Sequence, residues 1–159
     1  MKAFLVSPGA KVDLSRWDSN DTSAFPGLTK EDAAALIRVQ FREILADLNP
    51  KSAVIVDITT SWAMRYIVKV AGLGILEVYS NRTFQPRKVL NRAEFAEVLS
   101  RLIGVLKKAG RRLVPQIPVE RIRIADVPQE HFYFPAVSQA VAYGLLELAA
   151  DRTFKPELP

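Results

Sequence analysis

Few residues in this chain could carry out covalent chemistry. His131 is the single histidine, and there is no cysteine. A Ser-His-Asp site would have to use His131, and the lack of cysteine excludes thiol nucleophiles and thiolate metal sites. The sequence has no glycine-rich phosphate loop, no H-E-x-x-H pair and no nucleophile elbow. Glycoside hydrolysis needs only two carboxylates close in space, but no pair stands out. The sequence therefore predicts no enzyme, no catalytic residue, no metal site and no cofactor.

Basic side chains are the other chemically informative group. The chain has 22 lysines and arginines against 17 aspartates and glutamates, a formal net charge of +5. Such an excess favours an anionic partner, although it also serves solubility. The densest run is Lys107-Lys108-Ala109-Gly110-Arg111-Arg112. Together with paired helices it leaves a helix-turn-helix nucleic-acid binder as an alternative. This alternative is disfavoured because the run lies at a helix end and no helix has a basic recognition face.

Two nearly identical hexapeptides lie 70 residues apart: Asn81-Arg82-Thr83-Phe84-Gln85-Pro86 and Asp151-Arg152-Thr153-Phe154-Lys155-Pro156. In each copy a glycine, Gly74 or Gly144, lies ten residues before the phenylalanine. An aromatic residue, Trp62 or Phe132, lies twelve residues before that glycine. Matched offsets of this kind indicate an internal repeat. We expect its glycines to end helices and its phenylalanines to lie in the turn and the core. A looser third copy of the turn covers residues 21–26.

Between these repeated positions, apolar residues recur at helical spacing. The pattern predicts longer helices near residues 29–48 and 91–108, and shorter helices near 62–72 and 134–144. Thr29 with Asp32, and Asn91 with Glu94, have the spacing of capping boxes. The connections are short, so the pattern favours an all-α fold of packed helix-loop-helix repeats in one compact domain. No apolar run approaches the ~20 residues that a membrane span needs.

This repeating unit resembles the S-layer homology repeat. The family pattern is roughly D-V-x-x-x-H-W-A, a helix, G-(I/L)-(I/L), the turn (D/N)-G-T-F-x-P, and T-R-A-E-(F/A)-A opening a second helix. The middle stretch matches it with Asp57-Ile58, Trp62-Ala63, Gly74-Ile75-Leu76, residues 81–86 and Asn91-Arg92-Ala93-Glu94-Phe95-Ala96. The last stretch matches the first half of the pattern with Asp126-Val127, His131-Phe132, Gly144-Leu145-Leu146 and residues 151–156. The first stretch matches only the second half, with Phe25-Pro26 and Thr29-Lys30-Glu31-Asp32-Ala33-Ala34.

The resemblance divides the chain into five segments. A leader covers residues 1–20, and the second half of a repeat covers 21–48. A complete repeat covers 52–108, a linker covers 109–121, and the first half of a repeat covers 122–159. The N-terminal half-repeat lacks the first helix of the unit, and the C-terminal half-repeat lacks the second. We therefore expect the N-terminal half to complete the C-terminal half. Completion between two chains would give a homo-oligomer, a swapped dimer.

The resemblance also implies which residues touch a ligand. Family contacts come from the T-R-A-E arginine and from the tryptophan, which are Arg92 and Trp62 here. Lys30 stands at the arginine position of the first copy, and Asn91 stands at the threonine position of the second. Arg92 would open its helix, where N–H groups favour an anion, and its guanidinium can hold a carboxylate at two points. Trp62 would either stack on a sugar face or anchor its short helix in the core.

Some positions depart from the family pattern. The glycine of the family turn is replaced by Arg82 and Arg152, which leaves the conformation of these turns open. The tryptophan of the last copy is Phe132.

As a whole, the resemblance implies a non-catalytic module that anchors a protein to the bacterial cell wall. The ligand would be an anionic secondary wall polysaccharide or a peptidoglycan-linked polymer, often with pyruvylated sugars, at the cell envelope or extracellular surface. The segment Met1–Pro8 has the charge of a signal peptide but stops short of its apolar region, so the protein would be cytoplasmic or the sequence a fragment. The residues alone leave a structural or protein-interaction helical domain as a further alternative.

Overall fold

The computed structural model describes residues 27–159. The predicted leader at 1–20 and the loose turn copy at 21–26 lie outside the described residues. Within 27–159 there are four α-helices and one 3₁₀ turn, which is Val119–Arg121. The helices are α1 (Lys30–Gln40), α2 (Met64–Gly72), α3 (Arg92–Lys108) and α4 (Phe134–Ala142).

A small sheet corrects the prediction of a purely all-α fold. Strands β1 (Leu28–Thr29) and β2 (Val89–Leu90) pair antiparallel, with Leu28 opposite Leu90. Each strand lies next to the start of a long helix, where a cap residue takes extended backbone angles. Thr29, the N-cap of α1, has φ −79° and ψ 162°. The fold is therefore rich in helix, with one two-stranded ribbon.

The helices begin where the sequence predicts, but α1 is shorter than predicted. Both capping boxes are present: the Thr29 side chain accepts the N–H of Asp32, and the Asn91 side chain accepts the N–H of Glu94 at 2.8 Å. The prediction that the first helix extends to residue 48 is wrong. Phe41 leaves the helical region with φ −105° and ψ 24°, and residues 41–46 continue as turns. Leu45, within these turns, is still fully buried.

The described chain forms two compact units, each of which joins a stretch predicted as the second half of one repeat to a stretch predicted as the first half of the next. The first unit comprises residues 27–90 and 101–113, and the second comprises 91–100 and 114–159. In the first unit, α1 packs against α2. The N-terminal half-repeat therefore belongs with the first half of the middle repeat, while α4 belongs to the second unit. The prediction that the N-terminal half completes the C-terminal half is wrong in this respect.

The two units use the same backbone contacts at the start of the long helix. In the first unit, the N–H groups of Lys30 and Glu31 donate to the carbonyls of Lys88 and Pro86, both at 2.9 Å. In the second unit the N–H groups of Arg92 and Ala93 donate to the carbonyls of Leu158 (2.8 Å) and Pro156 (3.0 Å). The first N–H groups of a helix have no partner within the helix. The segment after each Phe-x-Pro turn supplies those partners.

A carboxylate fixes each Phe-x-Pro turn. Asp57 accepts the N–H groups of Phe84 (2.7 Å) and Gln85 (2.8 Å), and Asp126 accepts the equivalent pair in the second unit. Both aspartates thus hold a turn in place. Arg82 and Arg152 have φ of 64° and 62°, the left-handed conformation that glycine adopts most easily. The turns therefore take a glycine-like conformation without glycine.

The phenylalanine of each Phe-x-Pro turn lies in the core of its unit. Phe84 is fully buried and Phe154 is 1% exposed, which confirms their predicted place in the core. Gly74 and Gly144 end the shorter helices with φ of 75° and 67°, as the sequence predicts.

Candidate functional site

The first unit contains a cavity of about 390 Å³ between the start of α1, the segment before α2 and the segment after the Phe-x-Pro turn. Its volume falls within the range typical of small-ligand sites. The residues that line it are Glu31, Asp57, Thr60, Ser61, Trp62, Gln85, Pro86, Arg87 and Lys88. The cavity thus combines one large aromatic side chain with charged groups of both signs.

Trp62 is the aromatic residue of this cavity and is 61% exposed. Its ring meets that of Tyr66 edge-on, with 6.3 Å between the ring centroids. Of the two roles left open for Trp62, this exposure excludes the role of core anchor. Ala63, the next residue, is fully buried in its place. An indole ring that is exposed beside a cavity offers both a flat apolar face and an N–H donor.

The acidic residues of the cavity already accept hydrogen bonds from the protein. Asp57 holds the two backbone N–H groups of the turn. Glu31 accepts the hydroxyl of Ser61 at 2.6 Å, and the Ser61 oxygen in turn accepts the N–H of Ala63 at 3.2 Å. These bonds tie the start of α1 to the start of α2. The carboxylates therefore shape the cavity by accepting hydrogen bonds from the protein itself.

The basic residues of the cavity are Arg87 and Lys88. Arg87 is exposed, and Lys88 is half-buried. Sequence reasoning missed both, because they lie outside the family motifs. The signal that could have found them is their position directly after the Phe-x-Pro turn, where the two copies differ: Arg87-Lys88 in one and Glu157-Leu158 in the other.

Lys30 lies in the same unit as Trp62, but its side chain does not line the cavity. The residue is only 4% exposed, and its Nζ donates to the carbonyl of Glu77 at 2.9 Å. The ammonium lies over the rings of Tyr79 and Phe84, at 4.5 and 4.4 Å from the ring centroids. A buried cation needs such partners, since desolvation without them is costly.

Arg92 makes the equivalent contacts in the second unit. Its Nε donates to the carbonyl of Phe154 at 2.8 Å, and its Nη2 donates to that of Glu147 at 3.0 Å. The guanidinium lies 4.7 Å from the centroid of the Phe154 ring. Burial lowers the pKa of Arg92, while the negative charge of Asp126 acts in the opposite direction. The side chain is half-buried. Its two hydrogen bonds join the start of α3 to the segment that contains Glu147 and Phe154.

Asn91 also makes local and longer-range contacts in the second unit. Its backbone N–H donates to Glu94 Oε2 at 3.0 Å, which completes the capping box. Its side-chain amide lies 3.4 Å from Glu157 Oε2. The four predicted site residues are thus divided, with Trp62 and Lys30 in the first unit and Arg92 and Asn91 in the second.

The basic run at the end of α3 is partly neutralised within the first unit. The Arg111 guanidinium donates to both carboxylate oxygens of Asp47, at 2.7 and 2.6 Å. Gly110 ends the helix with φ 73°. The run therefore lies at a helix end, as predicted.

The repeated unit is also found when the sequence is compared with models of protein families. The model of the S-layer homology domain matches residues 55–96 and 123–159, about half of the chain. The chain contains two S-layer homology repeats. These repeats are non-catalytic binding modules, and they imply anchoring to the cell wall through its secondary polymers at the surface of the cell envelope. No curated protein matches the chain. In the described part, 27–159, no helix has the length and apolar character needed to cross a bilayer.

Proposed function

We propose that this protein anchors to the cell wall by binding an anionic secondary polysaccharide in the cavity beside Trp62. The observation that carries the proposal is an exposed tryptophan next to Arg87 and Lys88, within one cavity. An indole face stacks against the apolar face of a sugar ring. Guanidinium and ammonium groups bind carboxylate or phosphate through charge-assisted hydrogen bonds.

In this proposal Lys30 positions the basic segment of the cavity, and Arg92 and Asn91 position the equivalent segment of the second unit. The backbone N–H of Lys30 holds the carbonyl of Lys88, so the start of α1 sets the place of the cavity's basic segment. The backbone N–H of Arg92 holds the carbonyl of Leu158 in the same way. The Asn91 amide, near Glu157, acts on that same segment. All three residues thus support the segment that follows a Phe-x-Pro turn.

Replacing Trp62 with alanine tests the proposed contact. The affinity for purified wall polysaccharide is expected to fall by about tenfold or more, as when an aromatic anchor is truncated. The free energy of unfolding is expected to change by less than about 1 kcal/mol, because exposed side chains contribute little to stability. Trp62→Phe should retain part of the affinity, since it keeps a ring face but loses the indole N–H. Binding is measured by isothermal titration calorimetry, and unfolding by circular dichroism in urea.

The matched control is Val114→Ala, which truncates a side chain that is 66% exposed. It should leave affinity unchanged. If Trp62→Ala binds as tightly as the parent protein, Trp62 is not the contact. If Trp62→Ala loses stability and keeps its affinity per folded molecule, the tryptophan is structural.

A further inference from the structure

The two repeats build the same frame around different charges. Hydrogen bonds establish which positions correspond: Asp57 and Asp126 hold equivalent turns. Ser61 Oγ accepts the N–H of Ala63 at 3.2 Å, and His131 Nδ1 accepts the N–H of Tyr133 at the same distance. Trp62 therefore corresponds to Phe132, which is 78% exposed.

On this frame the residues after the turn differ in charge. The carbonyls of Lys88 and Leu158 receive the same backbone N–H, from the first residue of a long helix. Lys88 thus corresponds to Leu158, and Arg87 to Glu157, one residue earlier. Two adjacent cations in the first unit are replaced by an anion and an apolar residue in the second. Lys155 in place of Gln85 offsets this change by only one positive charge.

Arg87 is the group of the first unit best placed to meet a ligand's charge. The carboxylates of Asp57 and Glu31 are held by donors from the protein itself. Arg87 is exposed, and within residues 27–159 it forms no ion pair. In the second unit, an incoming anion would meet Glu157 at the position of Arg87. The negative charge of Glu157 would repel that of the ligand, and this repulsion selects against an anionic ligand in the second unit.

We propose that Arg87, supported by Lys88, selects the charge of the ligand, so that the Trp62 cavity binds the anionic group of the polysaccharide and the surface around Phe132 does not. The anionic group is a carboxylate or a phosphate, since a guanidinium pairs with either. This inference rests on the proposed function. It adds a residue that determines specificity, and a difference between the two repeats in the binding of an anionic group.

The test uses three oligosaccharide probes on the full chain: a uronic-acid tetrasaccharide, the same tetrasaccharide with its carboxylates reduced to alcohols, and a phosphodiester-linked glycan oligomer. Binding is measured by isothermal titration calorimetry. The parent protein should prefer an anionic probe, and its affinity should fall as NaCl is raised. The stronger of the two anionic probes identifies the group.

Arg87→Glu gives the first unit the charge of the second at this position. Its affinity for the preferred anionic probe should fall roughly ten- to hundredfold, as for loss of a charge-assisted hydrogen bond. The weak binding of the reduced probe should not change. Arg65→Glu, at an exposed arginine of α2 outside the cavity, is the matched control and should bind within about twofold of the parent, since a rim charge away from the site contributes little affinity. Phe132→Ala should also leave affinity unchanged.

The inference is overturned if Arg87→Glu binds the anionic probe as the parent does, or if it loses affinity for charged and reduced probes alike. It is also overturned if Phe132→Ala weakens binding as much as Trp62→Ala. In each of these cases the proposed function stands, provided that the parent protein still sediments with wall material. Failure of the parent to sediment would instead remove the proposed function itself.

Discussion

Replacing Phe84 with alanine is expected to lower the free energy of unfolding by about 3–5 kcal/mol, the usual cost of truncating a buried phenylalanine. Phe84 is fully buried, and the Lys30 ammonium lies 4.4 Å from its ring centroid. The alanine variant would leave a cavity and remove one of the partners of a buried cation. Urea denaturation followed by circular dichroism measures the change.

Phe132→Ala is the matched control for this measurement. It removes the same side chain from a position that is 78% exposed, and should cost less than about 1 kcal/mol. Equal losses in the two variants would show that Phe84 is not the core residue that its burial indicates.

Replacing Arg92 with alanine is expected to cost about 1–3 kcal/mol of stability, because a part-buried carbonyl loses a charged donor. Two backbone carbonyls, those of Phe154 and Glu147, would lose the guanidinium. Arg92→Lys should recover only part of the loss, since an ammonium cannot reach both carbonyls with a planar fork. Thermal and urea unfolding of both variants measure the effect.

The matched variant is Arg101→Ala, on the same helix. Arg101 contacts Glu77 at 3.2 Å in an exposed ion pair, which should contribute less than about 1 kcal/mol. If Arg92→Ala unfolds like the parent and loses affinity for the wall polymer, Arg92 contacts the ligand directly and the positioning role is wrong.

Features set by residues close in sequence could be predicted. The capping boxes at Thr29 and Asn91, and the helix ends at Gly74 and Gly144, depend on contacts within a few residues. The fully buried Phe84 was predicted from the repeat, because an apolar ring at a fixed place in a repeated unit is usually core. The end of α1 was not predicted, since its apolar spacing continues to Leu48 while Phe41 leaves the helical region.

Features that depend on distant contacts could not be predicted. Lys30 and Arg92 bond carbonyls 47 and 55 or more residues away, and no local pattern identifies a carbonyl as a partner. The same limit applies to the pairing of half-repeats, because the second half of one repeat packs with the first half of the next. The exposure of Trp62 was ambiguous, since an aromatic residue just before a helix suits both a core and a binding face.

Sedimentation of the protein with cell-wall sacculi is the most direct test of the central claim that the chain anchors to a secondary wall polymer. We expect the parent protein to sediment with intact sacculi and to stay in solution with sacculi stripped of the secondary polymer. Trp62→Ala should stay largely in solution with both. Equal sedimentation with intact and stripped sacculi would contradict the account, and so would failure to sediment with either.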